Sequence, residues 1–204
     1  MEAKKKVNTR VLVESAMLVA LSCVLSLFPK FEFLPYGGSI TFCSMLPIIL
    51  ISYRRGVKWG LLGGLVLAIF QMMTGFVSAG MSAGAIVVVV LFDYLIAFTV
   101  LGFGGIFRGK FKKPANELVL GSVVAIALRY VCHIISGYWV WGEYAEWFFG
   151  EAGAFGQSVL SSLSGNALAL FYSVVYNGTY LIPEMIITGI VAALISKFAL
   201  VNID

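Results

Sequence analysis

Long, nearly uncharged apolar runs follow one another along the whole chain. Val11–Phe28 carries one charge, Glu14; Ile40–Tyr53 and Trp59–Ala79 carry none; Ala83–Phe107 carries only Asp93. Leu118–Val140 holds Arg129 and His133, and the last run, Leu168–Val201, is 34 residues long. A helix of about 20 apolar residues matches the hydrocarbon thickness of a bilayer. Composition agrees: 60% of the 204 residues are hydrophobic, 12% are charged, and the mean hydropathy is +0.97. A soluble domain is about half apolar and about a quarter charged. The surplus cannot be hidden in one core of this length, so the surface itself must be apolar. The reading is an all-α integral membrane protein of six transmembrane helices in one membrane-embedded domain, residues 1–204. A soluble enzyme, a disordered chain and a nucleic-acid reader are excluded, and there is no room for an ATPase domain beside six spans.

The basic arm Met1–Arg10 ahead of the first run has the order of a secretory signal, but the run is long and no A-x-A pattern follows it. It is read as a retained first span. Ile40–Tyr53 has only 14 residues. It is expected to start inside the membrane, with the loop Pro29–Ser39 dipping in before it. The final run contains Asn177-Gly178 and Pro183, which predict a kink or local unwinding. The sixth span is accordingly placed at about Val174–Leu200, after a separate short helix. Lys4, Lys5, Lys6 and Arg10 in the arm, Arg54, Arg55 and Lys58 after span two, Arg108, Lys110, Lys112 and Lys113 after span four, and Lys197 put twelve of the fourteen basic residues on one side. That side is cytoplasmic. Both termini are then inside, and residues 142–167 form a long external loop with room for a short helix.

Cys23, Cys43 and Cys132 are an odd set without a CxxC spacing and are read as small buried hydrophobes. The single histidine, His133, and the absence of HExxH argue against a zinc site. No GxxxxGK[ST] is present, so the chain does not itself hydrolyse ATP.

Ionisable groups inside a membrane cost about 2.5–3.5 kcal/mol each on insertion scales and face an interior site. Here they are Asp93, Arg129, His133 and Glu184. Arg129, His133 and Gly137 recur at helical spacing and share one face of span five; Asn177, Tyr180 and Glu184 share one face of span six. A carboxylate, an imidazole, an amide and aromatic faces suit a flat, cationic, hydrogen-bonding heterocycle. Trp139, Trp147 and the phenylalanines read as an interfacial belt.

The chain resembles the substrate-binding S-components of energy-coupling factor (ECF) vitamin transporters, in their thiamine-specific branch. The likeness runs over about Val7–Lys197. It is carried by Glu14-Ser-Ala-Met-Leu-Val-Ala20, Gly37-Gly-Ser-Ile-Thr41, Leu46-Pro-Ile-Ile49 and Tyr53-Arg-Arg-Gly56. It continues in Leu91-Phe-Asp-Tyr-Leu-Ile-Ala97, Leu101-Gly-Phe-Gly-Gly-Ile-Phe-Arg108, Arg129-Tyr-Val-Cys-His133, Gly137-Tyr-Trp-Val-Trp-Gly-Glu-Tyr144 and Tyr172-Ser-Val-Val-Tyr-Asn-Gly178. The resemblance implies a six-helix binding protein that holds thiamine near the outer face. It implies that Asp93 faces the thiazolium cation and that Tyr94, His133, Gly137, Trp141, Tyr172 and Asn177 complete the pocket. It also implies docking on a transmembrane scaffold subunit powered by two separate ATPases in a bacterial cell membrane, with no cofactor or metal of its own. Ala16, Ala20 and Cys23 form a narrow strip that a partner helix can approach closely. Two departures stand out. The first outer loop lacks the tryptophan with which some relatives cover the ligand, leaving Phe33 or Tyr36 in its place, and the segment between Trp141 and Tyr172 is long.

Three rivals differ in what they require. An S-component for a neutral vitamin such as riboflavin has no use for Asp93. An intramembrane enzyme would use Asp93, Glu184 and His133 as acid and base. A purely structural subunit would bind nothing saturably. The topology is testable directly. In a background without native cysteines, a cysteine placed between Glu143 and Glu151 should react with an impermeant maleimide on intact cells, and Lys112→Cys should not. Labelling of position 112 from outside would overturn the six-span orientation.

Overall fold

The computed structural model describes residues 9–27, 31–32, 38–76, 78 and 80–198. Lys4, Lys5 and Lys6 of the arm, the loop residues Pro29, Lys30, Phe33, Pro35, Tyr36 and Gly37, and the chain beyond Phe198 lie outside these. The order is α1 (Thr9–Leu27), a two-stranded antiparallel ribbon of β1 (Phe31–Glu32) and β2 (Ser39–Ile40), α2 (Leu46–Arg55) and α3 (Val57–Gly75). A composite span follows, the fourth in the numbering of the sequence reading: α4 (Ala83–Val89), a π-helical turn (Val90–Leu95), α5 (Ile96–Thr99) and a 3₁₀ segment (Val100–Gly105). Then come α6 (Pro114–Val140), a 3₁₀ turn (Gly142–Tyr144), α7 (Ala145–Gly150), α8 (Gly153–Ser162) and α9 (Gly165–Ile195). Five of these are long and apolar enough to cross a membrane: α1, α3, the composite span Ala83–Gly105, α6 and α9. The chain is a multi-pass membrane protein.

The expected second span is not a full-length helix. Its helix, α2, has 10 residues, about 15 Å at 1.5 Å per residue. Pro47 sits in its first turn and Gly56, at φ 94°, ends it. Before it the chain is irregular: Cys43 takes a left-handed φ of 58°, Leu46 N–H donates to Cys43 O at 3.0 Å, and Cys43, Ser44 and Met45 are buried. Irregular backbone at membrane depth survives only where protein covers it and supplies its hydrogen bonds. Ser22 of α1 does so by donating to Ser44 O. At the other end of α2, Arg54 and Arg55 both bond the Glu14 carboxylate, Arg55 Nε at 2.8 Å. This ties the end of α2 to the start of α1, so the two run antiparallel.

The sixth span also differs from expectation. α9 is one unbroken helix of 31 residues, not a short helix followed by a span from Val174, and Pro183 lies inside it. Asn177 does not unwind the backbone because its amide is spent elsewhere: Nδ2 donates to Ser173 O at 2.9 Å and Oδ1 accepts from Tyr180. α6 and α9 pack antiparallel, as the pairs Arg129–Glu184, His133–Asn177 and Gly137–Ser173 show. The segment expected as an external loop is largely helical, and its Ala145, Phe149 and Val159 are buried. Cys43 and Cys132 are buried as expected, while Cys23 is only half-buried.

Helices in lipid gain no hydrophobic advantage from meeting one another, so they associate through close contacts at small residues. A Cβ on Gly102 would lie 2.2 Å from Leu61 N and 2.5 Å from Gly60 C, both backbone atoms of α3. Gly84, by contrast, has nothing within 4 Å of a built Cβ. Gly102→Ala should therefore destabilise the purified protein by about 1–3 kcal/mol and lower its apparent Tm by several degrees. Gly84→Ala should leave it unchanged or slightly raised. Equal melting of the two variants would mean that the α3 contact has slack.

Candidate functional site

Asp93 lies in the π-helical turn of the fourth span. Such turns bulge the helix wall and mark functional sites more often than chance. Here the turn presents the carboxylate to α6. Asp93 Oδ2 accepts from Ser136 Oγ at 2.8 Å, and Oδ1 lies 3.0 Å from His133 Nδ1. On the far side of the imidazole, Arg129 Nε donates to His133 Nε2 at 3.2 Å. A guanidinium nitrogen can only donate. His133 Nε2 is therefore an acceptor, the ring is neutral, and its proton sits on Nδ1, facing Asp93.

Arg129 is anchored from three further directions. Its guanidinium stands over the Phe98 ring at 4.2 Å from the centroid, NH1 donates to Met45 Sδ at 2.9 Å, and NH1 lies 3.9 Å from Glu184 Oε2. Glu184 Oε1 in turn accepts from the Thr41 backbone N–H at 2.9 Å and from the Thr41 hydroxyl. A single polar chain thus runs from the fourth span through α6 and α9 to the irregular segment ahead of α2. Its formal charges are Asp93 −1, His133 0, Arg129 +1 and Glu184 −1, which leaves one negative charge. Access is unequal: the Asp93 side chain is 19% exposed and that of Glu184 2%.

Asn177 joins this group by donating to His133 O at 3.2 Å, and its Oδ1 accepts from Tyr180 at 2.6 Å. Gly137 makes room for it: a Cβ there would meet Ser173 Oγ at 2.2 Å and Asn177 Nδ2 at 3.0 Å. Above lies an aromatic column on one face of α9. Tyr172 and Tyr176 have ring centroids 5.5 Å apart, Tyr176 and Tyr180 6.3 Å, and Tyr180 reaches the His133 ring at 6.2 Å. Phe148 of α7 packs edge-on against both Tyr172 and Tyr176, at 5.3 and 5.8 Å. Gly38 N–H donates to the Tyr176 hydroxyl at 3.4 Å. Trp141 ends α6 about 12 Å above His133 and packs on Tyr144 at 5.9 Å.

Of the residues singled out from sequence, Asp93, His133, Gly137 and Asn177 come together. Trp141 and Tyr172 stand at the end of the site nearer α7. Tyr94 turns away from Asp93 towards α3, with its ring edge-on to Phe76 at 6.0 Å. Phe33 and Tyr36, the candidates to cover a ligand, lie outside the described residues. Ser136, Thr41, Met45, Phe98, Phe148 and Tyr176 were not foreseen. Tyr176 was detectable, since it repeats Tyr172 and Tyr180 at four-residue spacing. Two open clefts lie elsewhere. One of about 500 Å³ is lined by Arg10, Glu14 and Met17, and one of about 430 Å³ by Trp139, Gly142 and Asn166; neither is lined by Asp93 or His133. The Ala16–Ala20 strip faces outward: both alanines are exposed, while Ser15, Ser22 and Ser26 form the inner face of α1.

Both the sequence and the fold have known relatives. Residues 12–203 match the family model described as thiamine transporter protein (Thia_YuaJ). The thiamine transporter ThiT of Bacillus subtilis (strain 168) is 34% identical over 194 residues, covering 90% of this chain and 88% of that one. The fold matches the solved structure of ThiT from Listeria monocytogenes with a TM-score of 0.69 at 23% identity, over 93% of this chain and 96% of the other. It also matches a solved S component of a bacterial ECF transporter with a TM-score of 0.51 at 21% identity, over 93% and 92%. At these identities the solved structures establish the fold; the match over nearly the full length and the Bacillus relative establish the family: the chain belongs to the thiamine transporter protein family.

Proposed function

We propose that this protein is the thiamine-binding S component of an ECF-type uptake transporter in the bacterial cell membrane. The observation that carries the reading is the site's single uncompensated negative charge, placed on the accessible carboxylate of Asp93 beside a neutral His133. Thiamine carries one permanent positive charge, which complements it. A neutral vitamin such as riboflavin would leave Asp93 unpaired in the bundle.

In this reading Asp93 pairs with the thiazolium and His133 with Ser136 aims the carboxylate. Trp141 and Tyr172 supply aromatic faces, and Tyr94 lines the wall towards α3. Asn177 Oδ1, which already accepts from Tyr180, keeps a second lone pair for an aminopyrimidine N–H. Gly137 keeps α6 close enough to α9 for Asn177 to reach. The irregular segment with α2 completes a sixth crossing, both termini are cytoplasmic, and α7 and α8 cap the outer end of one membrane-embedded domain. In this reading the protein binds its ligand and does not turn it over, in keeping with both ring nitrogens of His133 being engaged, by Asp93 and by Arg129. Energy comes from two ATPase subunits through a transmembrane scaffold, for which the strip of exposed Ala16 and Ala20 with half-buried Cys23 is the docking surface.

Docking and binding should separate. Ala16→Trp and Ala20→Trp should leave thiamine binding within about twofold of wild type, since these exposed alanines lie outside the polar chain, and abolish uptake by cells. A parallel loss of both would mean that the strip serves the bundle itself.

The charge pairing is tested with Asp93→Asn. Losing one member of a buried charge pair costs about 3–5 kcal/mol, and 1.4 kcal/mol is a factor of about ten. Thiamine affinity, read from tryptophan fluorescence, should fall by at least about a hundredfold. The neutral isostere with carbon in place of the thiazolium nitrogen should lose far less. Equal losses for both ligands would remove Asp93 from the cation site.

A further inference from the structure

Arg129 poses a problem for a cation site, because it places a permanent positive charge one imidazole away from the carboxylate that the ligand needs. The geometry shows how that charge is disposed of. Arg129 makes no direct bond to Asp93: Nε is committed to His133, NH1 to Met45 and towards Glu184, and the guanidinium face lies on Phe98. Glu184 is the only carboxylate within ion-pair reach of Arg129 among the described residues, and at 2% exposure it is closed to a ligand. Its other oxygen is held by the Thr41 N–H and hydroxyl, so the carboxylate cannot swing towards the ligand or away from Arg129. We infer that Glu184 is a positioning residue for the cationic ligand: it neutralises Arg129 from behind and leaves the charge of Asp93 for the cargo.

The inference rests on the thiamine reading and extends it to a residue pair beyond the ligand's reach. It separates two jobs that the sequence leaves undivided among the buried ionisable groups. Asp93 is the counter-ion, and Arg129–Glu184 is an internally balanced support that orients His133 without changing the site's net charge. Removing Glu184 alone brings the site to zero net charge with Arg129 unopposed. Removing both charges restores a net charge of minus one.

The test uses full-length protein and two ligands, thiamine and its neutral carbon isostere, both read by tryptophan fluorescence. Glu184→Gln keeps an oxygen to accept from Thr41 but loses the charge. It should weaken thiamine binding by roughly tenfold to a hundredfold, as for an unscreened like charge near a binding group, and leave the isostere within about threefold. The double variant Arg129→Gln/Glu184→Gln loses the bonds of Arg129 to His133 and Met45, which weakens both ligands alike, but its net charge is again minus one, so it should bind thiamine several-fold more tightly than Glu184→Gln relative to the isostere. Should the single variant fail to fold, the double variant decides by its two losses: equal losses of thiamine and isostere support the charge balance, and a larger loss of thiamine overturns it. A thiamine-to-isostere ratio as low in the double variant as in Glu184→Gln, or a loss of the isostere by Glu184→Gln equal to that of thiamine, overturns the inference and makes the pair purely structural. Wild-type protein that fails to bind thiamine overturns the thiamine reading itself, and that failure is distinct because it precedes any variant.

Discussion

A guanidinium inside a membrane bundle must be compensated on every side, and the interior of this protein is arranged around that of Arg129. Its neighbours come from four parts of the chain: His133 one turn on, Phe98 from α5, Met45 from the segment before α2, and Glu184 from α9. Each contact also fixes something else. The bond to His133 sets the imidazole tautomer, which points a proton at Asp93. The contact with Met45 places the irregular segment, and Glu184 holds the same segment a few residues earlier at Thr41. The cation therefore registers α6, α9 and the approach to α2 against one another. That shared dependence explains why the group is kept despite its insertion cost.

Close helix contacts make such a network possible. Hydrogen bonds of about 3 Å between side chains on different helices need backbones nearer than ordinary side chains allow. Gly137 lets α6 approach Ser173 and Asn177, and Gly60 and Gly102 bring α3 against the fourth span. The π-helical turn then moves Asp93 into line with His133 and Ser136, two residues one turn apart on α6. Small residues thus set the spacing, and the polar groups use it.

Much of this was legible in the sequence because membrane solvation leaves strong marks. The apolar runs located the spanning helices, and the short Ile40–Tyr53 run matches a helix of only 10 residues preceded by buried irregular backbone. The rare intramembrane ionisable groups, Asp93, Arg129, His133 and Glu184, mark the interior network from sequence alone. Local signals misled where tertiary contacts overrode them. Asn177-Gly178 and Pro183 look like a break, yet Asn177 spends its amide on Ser173, Tyr180 and His133, and α9 continues. Pairings between distant residues were out of reach: Thr41 and Glu184 are 143 residues apart, and nothing local to either names the other. Ser136 was missed for a different reason, since a serine in a membrane helix is unremarkable until the carboxylate opposite it is known.

The aromatic column connects this interior chemistry to the opposite end of the site. Tyr180 touches the His133 ring, Tyr176 touches Tyr180 and accepts from Gly38, and Phe148 of α7 packs on Tyr176 and Tyr172. The ring stack therefore contacts the imidazole below, the start of the irregular segment at one side and the short helices after α6 at the other. These tyrosine rings are buried against one another, so the column is part of the frame. It carries the positions of α7 and of Gly38 down to the imidazole that faces Asp93, and the single net charge of the Asp93–His133–Arg129–Glu184 chain therefore rests on packing fixed at both ends.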